Sequence, residues 1–297
     1  MAEKPIKKLK VAILGSGNIG TDLLYKVLRS SWLECSMFIG RNLASRGISR
    51  ALTLGVSVSD KGIQAIQQSP ECCDIVFDCT SALSHQIHAP ILAELGIIAI
   101  DLTPAKLGPF CIPSINLESC LDGVNVNMIT CGGQASIPLA YVLGQTQKQV
   151  DYIEVVSTIA SKSAGPATRL NLDEYIETTE KGVKMFSGCG RSKAILNLNP
   201  AEPCINMQTT VYAQVPQLDL AALQEGIAVM VDKIRQYVPS YELVIPPTYE
   251  NNRVIMSVRV KGMGDFLPSY AGNLDIINCA AIAVAEKFAM ARAEGRC

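Results

Sequence analysis

The loop Gly15-Ser16-Gly17-Asn18-Ile19-Gly20 constrains this chain more than any other feature. It is a complete G-x-G-x-x-G. It follows the apolar run Val11-Ala12-Ile13-Leu14 and opens an amphipathic helix pattern. A dinucleotide-binding turn requires that context. Its glycines allow the tight turn, the close approach of a pyrophosphate and helix–strand packing, and the helix N-terminus faces the phosphates. Short continuous apolar runs at 11–14, 37–39, 75–79, 97–102 and 124–130 alternate with helix patterns at 19–29, 45–54, 62–68 and 84–95. Strands of this kind are covered on both faces. The spacing predicts right-handed βαβ units and an α/β, doubly wound parallel sheet.

The second half changes period. Runs at 151–159, 209–213, 241–245 and 254–260 read as longer strands. The last partly alternates charged and apolar residues, as in a mostly antiparallel sheet with one covered face. Helix patterns at 172–184, 218–237 and 275–292 accompany them. No repeat or low-complexity linker interrupts the chain, which predicts two tightly connected domains.

Composition narrows the function. The 297 residues are 48% hydrophobic and 18% charged, with a formal net charge of −1. This describes a soluble globular protein without a nucleic-acid or anionic-membrane partner. The start, Met1-Ala2-Glu3-Lys4-Pro5, lacks an apolar signal core. The greasiest stretch, 276–285, is broken by Asn278 and is too short to span a bilayer. Eleven cysteines form an odd, scattered set without C-x-x-C spacing. They make a poor disulfide framework and indicate a reducing, cytoplasmic setting. With only His85 and His88 as histidines, no metal site is expected.

Among those cysteines Cys131 stands apart. Cys131-Gly132-Gly133-Gln134 lies between the strand-like run Val124-Asn125-Val126-Asn127-Met128-Ile129-Thr130 and a helix pattern starting at Ser136. Composition alone makes any cysteine here an ordinary buried thiol. The strand-to-helix setting favours a thiolate instead, and free N–H groups there would serve as an oxyanion site. A nucleophilic thiol beside a nicotinamide site implies aldehyde oxidation through a thioester. The remaining candidates carry less. Cys189 reads as a loop thiol, and His85 and His88 as surface or capping residues. Asp78 and Asp101 end strands and shape loops there. The second strand ends in Ile39-Gly40-Arg41-Asn42 without a carboxylate for a ribose 2′-hydroxyl. Arg41 suits a 2′-phosphate, an adenine face or open solvent, so NAD and NADP both stay open.

These motifs resemble the acylating acetaldehyde dehydrogenases of aromatic meta-cleavage pathways, over nearly the whole chain. Besides the glycine loop and Cys131 segment, the resemblance is carried by Asp101-Leu102-Thr103-Pro104-Ala105, Ser161-Lys162-Ser163-Ala164-Gly165-Pro166, Asn199-Pro200-Ala201-Glu202-Pro203 and Leu267-Pro268-Ser269-Tyr270-Ala271-Gly272-Asn273-Leu274-Asp275. It implies a Rossmann-type domain over 1–131, with a returning helix at 274–297. An α+β, semialdehyde-dehydrogenase-like catalytic and dimerisation domain would cover 132–273. The implied reaction converts a short aldehyde, NAD and coenzyme A to acyl-CoA and NADH, with Cys131 acylated. Ser16 to Ile19 would hold the dinucleotide. A second cofactor loop would comprise Ser163, Ala164, Gly165, Pro166, Ala167, Thr168, Arg169, Leu170 and Asn171, and Asn273 would meet the nicotinamide end. The family implies a homodimer or larger assembly, and an aldolase partner for 4-hydroxy-2-oxovalerate that passes its aldehyde through a channel.

Four departures accompany the resemblance. Met207-Gln208-Thr209-Thr210 puts Thr209 where the family's proposed acid–base aspartate stands. Ala167 replaces a glycine, Asn42 replaces an acid, and the stretch 243–254 is shorter than usual. Arg169 reads equally as a site for a coenzyme A phosphate and as a structural ion-pair residue. Two other readings share these residues: a semialdehyde dehydrogenase that uses NADP and phosphate, and a weakly catalytic nucleotide-binding partner of an aldolase.

Overall fold

The structure, a computed structural model, describes residues 8–296. The amino-terminal segment read above as lacking a signal core (residues 1–7) and Cys297 lie outside the described residues. The chain divides into two compact units. One comprises Met1–Cys111, Asn116–Met128 and Ala281–Cys297, and the other Ile112–Ile115 and Ile129–Ala280. The main division thus falls three residues before the expected one. The final helix is shared between the units rather than assigned whole to the first.

The first unit is built on β1 (Leu9–Leu14), α1 (Asn18–Arg29), β2 (Leu33–Ile39), α2 (Arg46–Thr53), β3 (Val58–Ser59), α3 (Gln64–Gln68), β4 (Ile75–Asp78), α4 (Ala82–Glu94), β5 (Ile98–Asp101) and β6 (Asn125–Asn127). A short helix, α5 (Pro113–Asn116), falls between β5 and β6 in sequence. The six strands run parallel in the order β3-β2-β1-β4-β5-β6. The order reverses beside β1, the crevice where such sheets bind nucleotides. Val11, Ala12, Ile13 and Leu14 are all buried, as a central parallel strand demands. Helix α1 packs through Gly20, Leu23, Leu24 and Val27, spaced at one helical face.

The second unit contains α6 (Cys131–Thr146), β7 (Tyr152–Ala160), α7 (Pro166–Leu170), α8 (Leu172–Ser187), β8 (Arg191–Asn199), β9 (Met207–Gln214), α9 (Leu220–Arg235), β10 (Tyr241–Glu250) and β11 (Arg253–Val260). The last helix, α10 (Gly272–Ala293), begins here and ends in the first unit. The sheet order is β10-β11-β9-β7-β8, antiparallel except for the parallel pair β7–β8. Strand β8 escaped the sequence reading because most of its side chains are only half buried, so period-2 contrast is weak. On β7 and β9 the contrast is clean: Ile153, Val155, Ser157 and Ile159 are buried, as are Met207, Thr209, Val211 and Ala213. That face is covered by α6, α8 and α9. No helix among the described residues is long and apolar enough to cross a membrane.

Helices α6 and α8 approach more closely than large side chains would permit. A Cβ at Gly144 would collide with the carbonyl of Ser187, and one at Gly182 would lie 2.7 Å from Ile137 Cδ1. Gly144→Ala should therefore destabilise the chain by about 1–3 kcal/mol through overpacking. A lowered urea midpoint at unchanged slope is the expected readout.

Candidate active site around Cys131

The polypeptide enters α6 through a sharp turn. Strand β6 stops at Asn127, earlier than the sequence pattern suggests, and the helix starts at Cys131 itself. Between them Ile129 sits at φ 64°, in the left-handed region. A β-branched residue there is strained by about 1–3 kcal/mol, and such strain concentrates at functional sites. Thr130 is extended and caps the helix, its Oγ1 accepting from Gly133 N at 2.8 Å. Its hydroxyl also meets Thr179 Oγ1 at 2.7 Å, and Thr179 Oγ1 donates to the Tyr175 carbonyl at 2.7 Å. The helix start is thereby bolted to α8.

Cys131 is partly accessible rather than sunk in apolar packing. Its sulfur lies 3.7 Å from Tyr175 Oη, and Gly132 N donates to the same oxygen at 3.0 Å. Tyr175 Oη and Ser157 Oγ both occupy the region where a Cβ of residue 132 would project, the latter at 2.9 Å. Ser157 in turn meets Thr209 Oγ1 at 2.9 Å, across the β7–β9 pairing. Thr209 is thus a buried hydroxyl three contacts from the sulfur, through Tyr175 and Ser157.

Two expectations need correction. Burial pushes the Cys131 thiol up from its ordinary value, and Tyr175 and the N–H groups of Gly132 and Cys131 only oppose that rise. The helix start alone does not hold a thiolate in the resting protein. Nor are the N–H groups of Gly132 and Gly133 free to serve as an oxyanion site, since they are spent on Tyr175 and Thr130. Sequence reasoning missed Tyr175, Ser157 and Thr179, because contact with Cys131 across three elements leaves no local signal.

The glycine loop forms as expected in the first unit. Gly15 takes φ +123°, and a Cβ on it would strike the Cys79 carbonyl at 2.7 Å. A Cβ on Gly17 would meet nothing within 4 Å, which leaves open space above the loop. Ser16 Oγ contacts Ser45 Oγ at 3.2 Å, Thr21 Oγ1 donates to the Gly17 carbonyl, and Asn18 and Ile19 begin α1 beside Gly20. Arg41 is exposed, and Asn42 Oδ1 is occupied by Ala44 N at 2.9 Å. These residues fit a dinucleotide.

In the second unit Ser163 and Ala164 are buried, while Gly165, Pro166, Thr168, Arg169, Leu170 and Asn171 lie at or near the surface. Ala167 belongs to α7, but its side chain lies outside what the structure describes. Among the described residues Arg169 has no acidic partner, yet it is not a free cation. Its guanidinium donates to the Ala164 and Ser161 carbonyls at 3.0 Å and to Ser161 Oγ at 2.9 Å, clamping the loop. Asn273 is buried, its Nδ2 donating to the Ser163 carbonyl at 3.5 Å, and its Oδ1 has no partner among the described residues. An unpaired buried acceptor costs free energy unless a ligand donor meets it, which suits a carboxamide end.

Comparison with known proteins agrees with this geometry. Residues 10–121 match the semialdehyde dehydrogenase NAD-binding domain model, and residues 131–268 match the prokaryotic acetaldehyde dehydrogenase dimerisation model. An acetaldehyde dehydrogenase of Spirochaeta aurantia is 58% identical over 97% of both chains. One from Pectobacterium atrosepticum is 56% identical over 96% of this chain and 97% of its own. The chain belongs to the acetaldehyde dehydrogenase family. The fold itself reaches further. An aspartate semialdehyde dehydrogenase of Candida albicans, solved with NADP, superposes with a TM-score of 0.68 at 11% identity, covering 98% of this chain and all of its own. One from Vibrio cholerae gives 0.64 at 12%, covering 96% and 99%.

This acetaldehyde dehydrogenase family member also has a buried charge cluster in its first unit, at the ends of β4 and β5. His85 and His88 are not surface or capping residues: both Nδ1 atoms contact Asp78 Oδ2, at 2.9 and 2.8 Å. His85 Nε2 faces Asn125 Nδ2 at 3.1 Å and Asp101 Oδ2 at 3.5 Å, and Asp101 accepts from Thr103 N and Asn127 Nδ2, each at 2.7 Å. Burial opposes charge on Asp78, yet the two imidazoles hold its carboxyl below the usual range. Burial raises Asp101 to about 7, although His85 and Thr103 work against the rise. Burial would lower His85, but Asp78 and Asp101 raise it.

His85 and Asp101 therefore bind protons more tightly in the folded chain than in the unfolded one. Their contribution to stability is full at low pH and is lost as pH rises through the folded values. The Asp78 contribution runs the opposite way, lost only in strong acid. The melting temperature should fall by several degrees between pH 4 and pH 8, at about 2–4 °C per kcal/mol, with the Asp101 part lost mainly between pH 4 and pH 7. Asp101→Asn should flatten that slope, as measured by thermal unfolding across the same buffers.

Proposed function

We propose that the chain oxidises acetaldehyde, or a similarly short aldehyde, to an acyl thioester on Cys131 and passes the acyl group to coenzyme A. The observation that carries this reading is Cys131, a partly accessible residue at the start of α6 whose sulfur contacts a phenol that a backbone N–H holds in place. Once ionised, the sulfur attacks the aldehyde carbon. The positive end of the α6 dipole assists both the thiolate and the oxyanion that follows, while the Gly132 and Gly133 N–H groups stay engaged by Tyr175 and Thr130. The loop from Gly15 to Gly20 and the α1 N-terminus would hold NAD, which would supply the hydride acceptor when bound. A thioester keeps enough group-transfer potential to acylate a second thiol, which is why cysteine rather than serine suits position 131. The coenzyme A thiolate then attacks the acyl carbon, acyl-CoA leaves, and the Cys131 thiolate is restored.

A second copy of the chain would pair through the outer face of the five-stranded sheet. Val156, Thr158, Gln208, Thr210, Tyr212 and Arg259 surround a depression of about 600 Å³ on that face. The dimerisation model that matches residues 131–268 supports a dimer built on this unit. The resemblance further supports a cytoplasmic location, a place in aromatic catabolism and an aldolase that supplies the aldehyde.

The test is coenzyme-A-dependent NADH formation from acetaldehyde, repeated with NADP. Wild-type protein should turn over, and Cys131→Ser should lose about a thousandfold or more of that rate. Full retention of activity by the variant, or turnover with phosphate in place of coenzyme A, would end this assignment.

A further inference from the structure

We propose that Tyr175 is a catalytic residue, whose phenol O–H turns to the Cys131 sulfur and stabilises it as the thiolate. The inference rests on Cys131 being the reactive thiol of the proposed function. Its first support is geometric. Among the described residues, the polar groups beside the Cys131 sulfur are Tyr175 Oη, 3.7 Å away and itself holding the Gly132 N–H at 3.0 Å, and the backbone N–H groups of Gly132 and Cys131. No carboxylate or imidazole is among them. Thr209 stands where the family resemblance places an aspartate, and it offers a hydroxyl instead.

Its second support is that the hydroxyls form a chain with two directions. Tyr175 Oη touches Cys131 Sγ at 3.7 Å, hydrogen-bonds Ser157, and Ser157 Oγ meets Thr209 Oγ1 at 2.9 Å. In the thiol form the sulfur donates to Oη, Tyr175 donates to Ser157, and Ser157 donates to Thr209. When the S–H bond breaks and its proton passes to water at the accessible side of Cys131, each hydroxyl hydrogen rotates to the other side. Thr209 then donates to Ser157, Ser157 to Oη, and Oη to the sulfur. The Gly132 N–H donates to Oη at 3.0 Å in either state and polarises the phenol. Tyr175 itself keeps its proton, since burial and the neighbouring sulfur push the phenol well above its ordinary value. It acts as a donor rather than a base. Coupled hydroxyls strengthen one another, so the far end of the chain contributes as well.

The experiment measures alkylation of Cys131 by iodoacetamide from pH 6 to pH 10, with the modified peptide quantified by mass spectrometry. It uses no aldehyde, dinucleotide or coenzyme A. Its outcome therefore stands apart from the wild-type turnover assay, which tests the function itself. Tyr175→Phe should move the inflection to higher pH and slow alkylation at pH 7.5 by about ten- to a hundredfold, the range for losing one hydrogen bond to a charged atom. Its melting temperature should stay within a few degrees of wild type. Thr209→Val, which removes only the end of the chain, should shift the profile the same way by a smaller amount. A Tyr175→Phe profile that overlays wild type overturns the proposal. If Tyr175→Phe does not fold, an unshifted Thr209→Val profile overturns it.

Discussion

The start of α6 is gripped by three oxygen atoms, and the arrangement around the sulfur depends on that grip. Thr130 Oγ1 caps the helix, Thr179 Oγ1 ties the cap to α8, and Tyr175 Oη takes the Gly132 N–H. Each satisfies a donor or hydroxyl that burial would otherwise leave costly. Together they fix where the sulfur points, with no metal or disulfide among the described residues contributing. The strained φ at Ile129 persists because the surrounding contacts over-determine the turn.

The periodic features were legible in the sequence. The glycine loop, the parallel strands and the long helices announce themselves by repeated burial, which a one-dimensional pattern records. Strand β8 did not, because its half-buried side chains blur the alternation. The polar centres were harder to read for a different reason. Tyr175 sits on an ordinary amphipathic helix, and Ser157 and Thr209 are small residues on ordinary strands. Only the pairing of β7 with β9 and the packing of α8 on α6 bring them to Cys131. Asp78 and Asp101 likewise end successive strands with the whole of α4 between them, and only the parallel register of β4 and β5 sets Asp101 beside Asp78, which His85 binds.

The first unit uses charge where the second uses hydroxyls. Asp78, His85, His88 and Asp101 hold the strand ends under the nucleotide crevice with a compact network of carboxyl and imidazole groups, a high-stakes device in low dielectric. Around Cys131 the network is neutral at rest, so the sulfur meets donors that need only rotate. Relatives at 50–58% identity and solved folds at 11–12% mark two different depths of constraint. The sheet architecture tolerates almost complete replacement of the sequence.

Gly132 bears on how this chain could change. The phenol and the serine oxygen fill the volume a methyl group would need there, so every substitution at that position has to evict one of them first. Evolution or engineering aimed at a new acyl acceptor or a bulkier aldehyde is thereby channelled away from the nucleophile's immediate neighbour. Variation is free to accumulate instead at the ring of polar positions behind it, where a single exchanged oxygen retunes the thiol without disturbing the backbone that carries it.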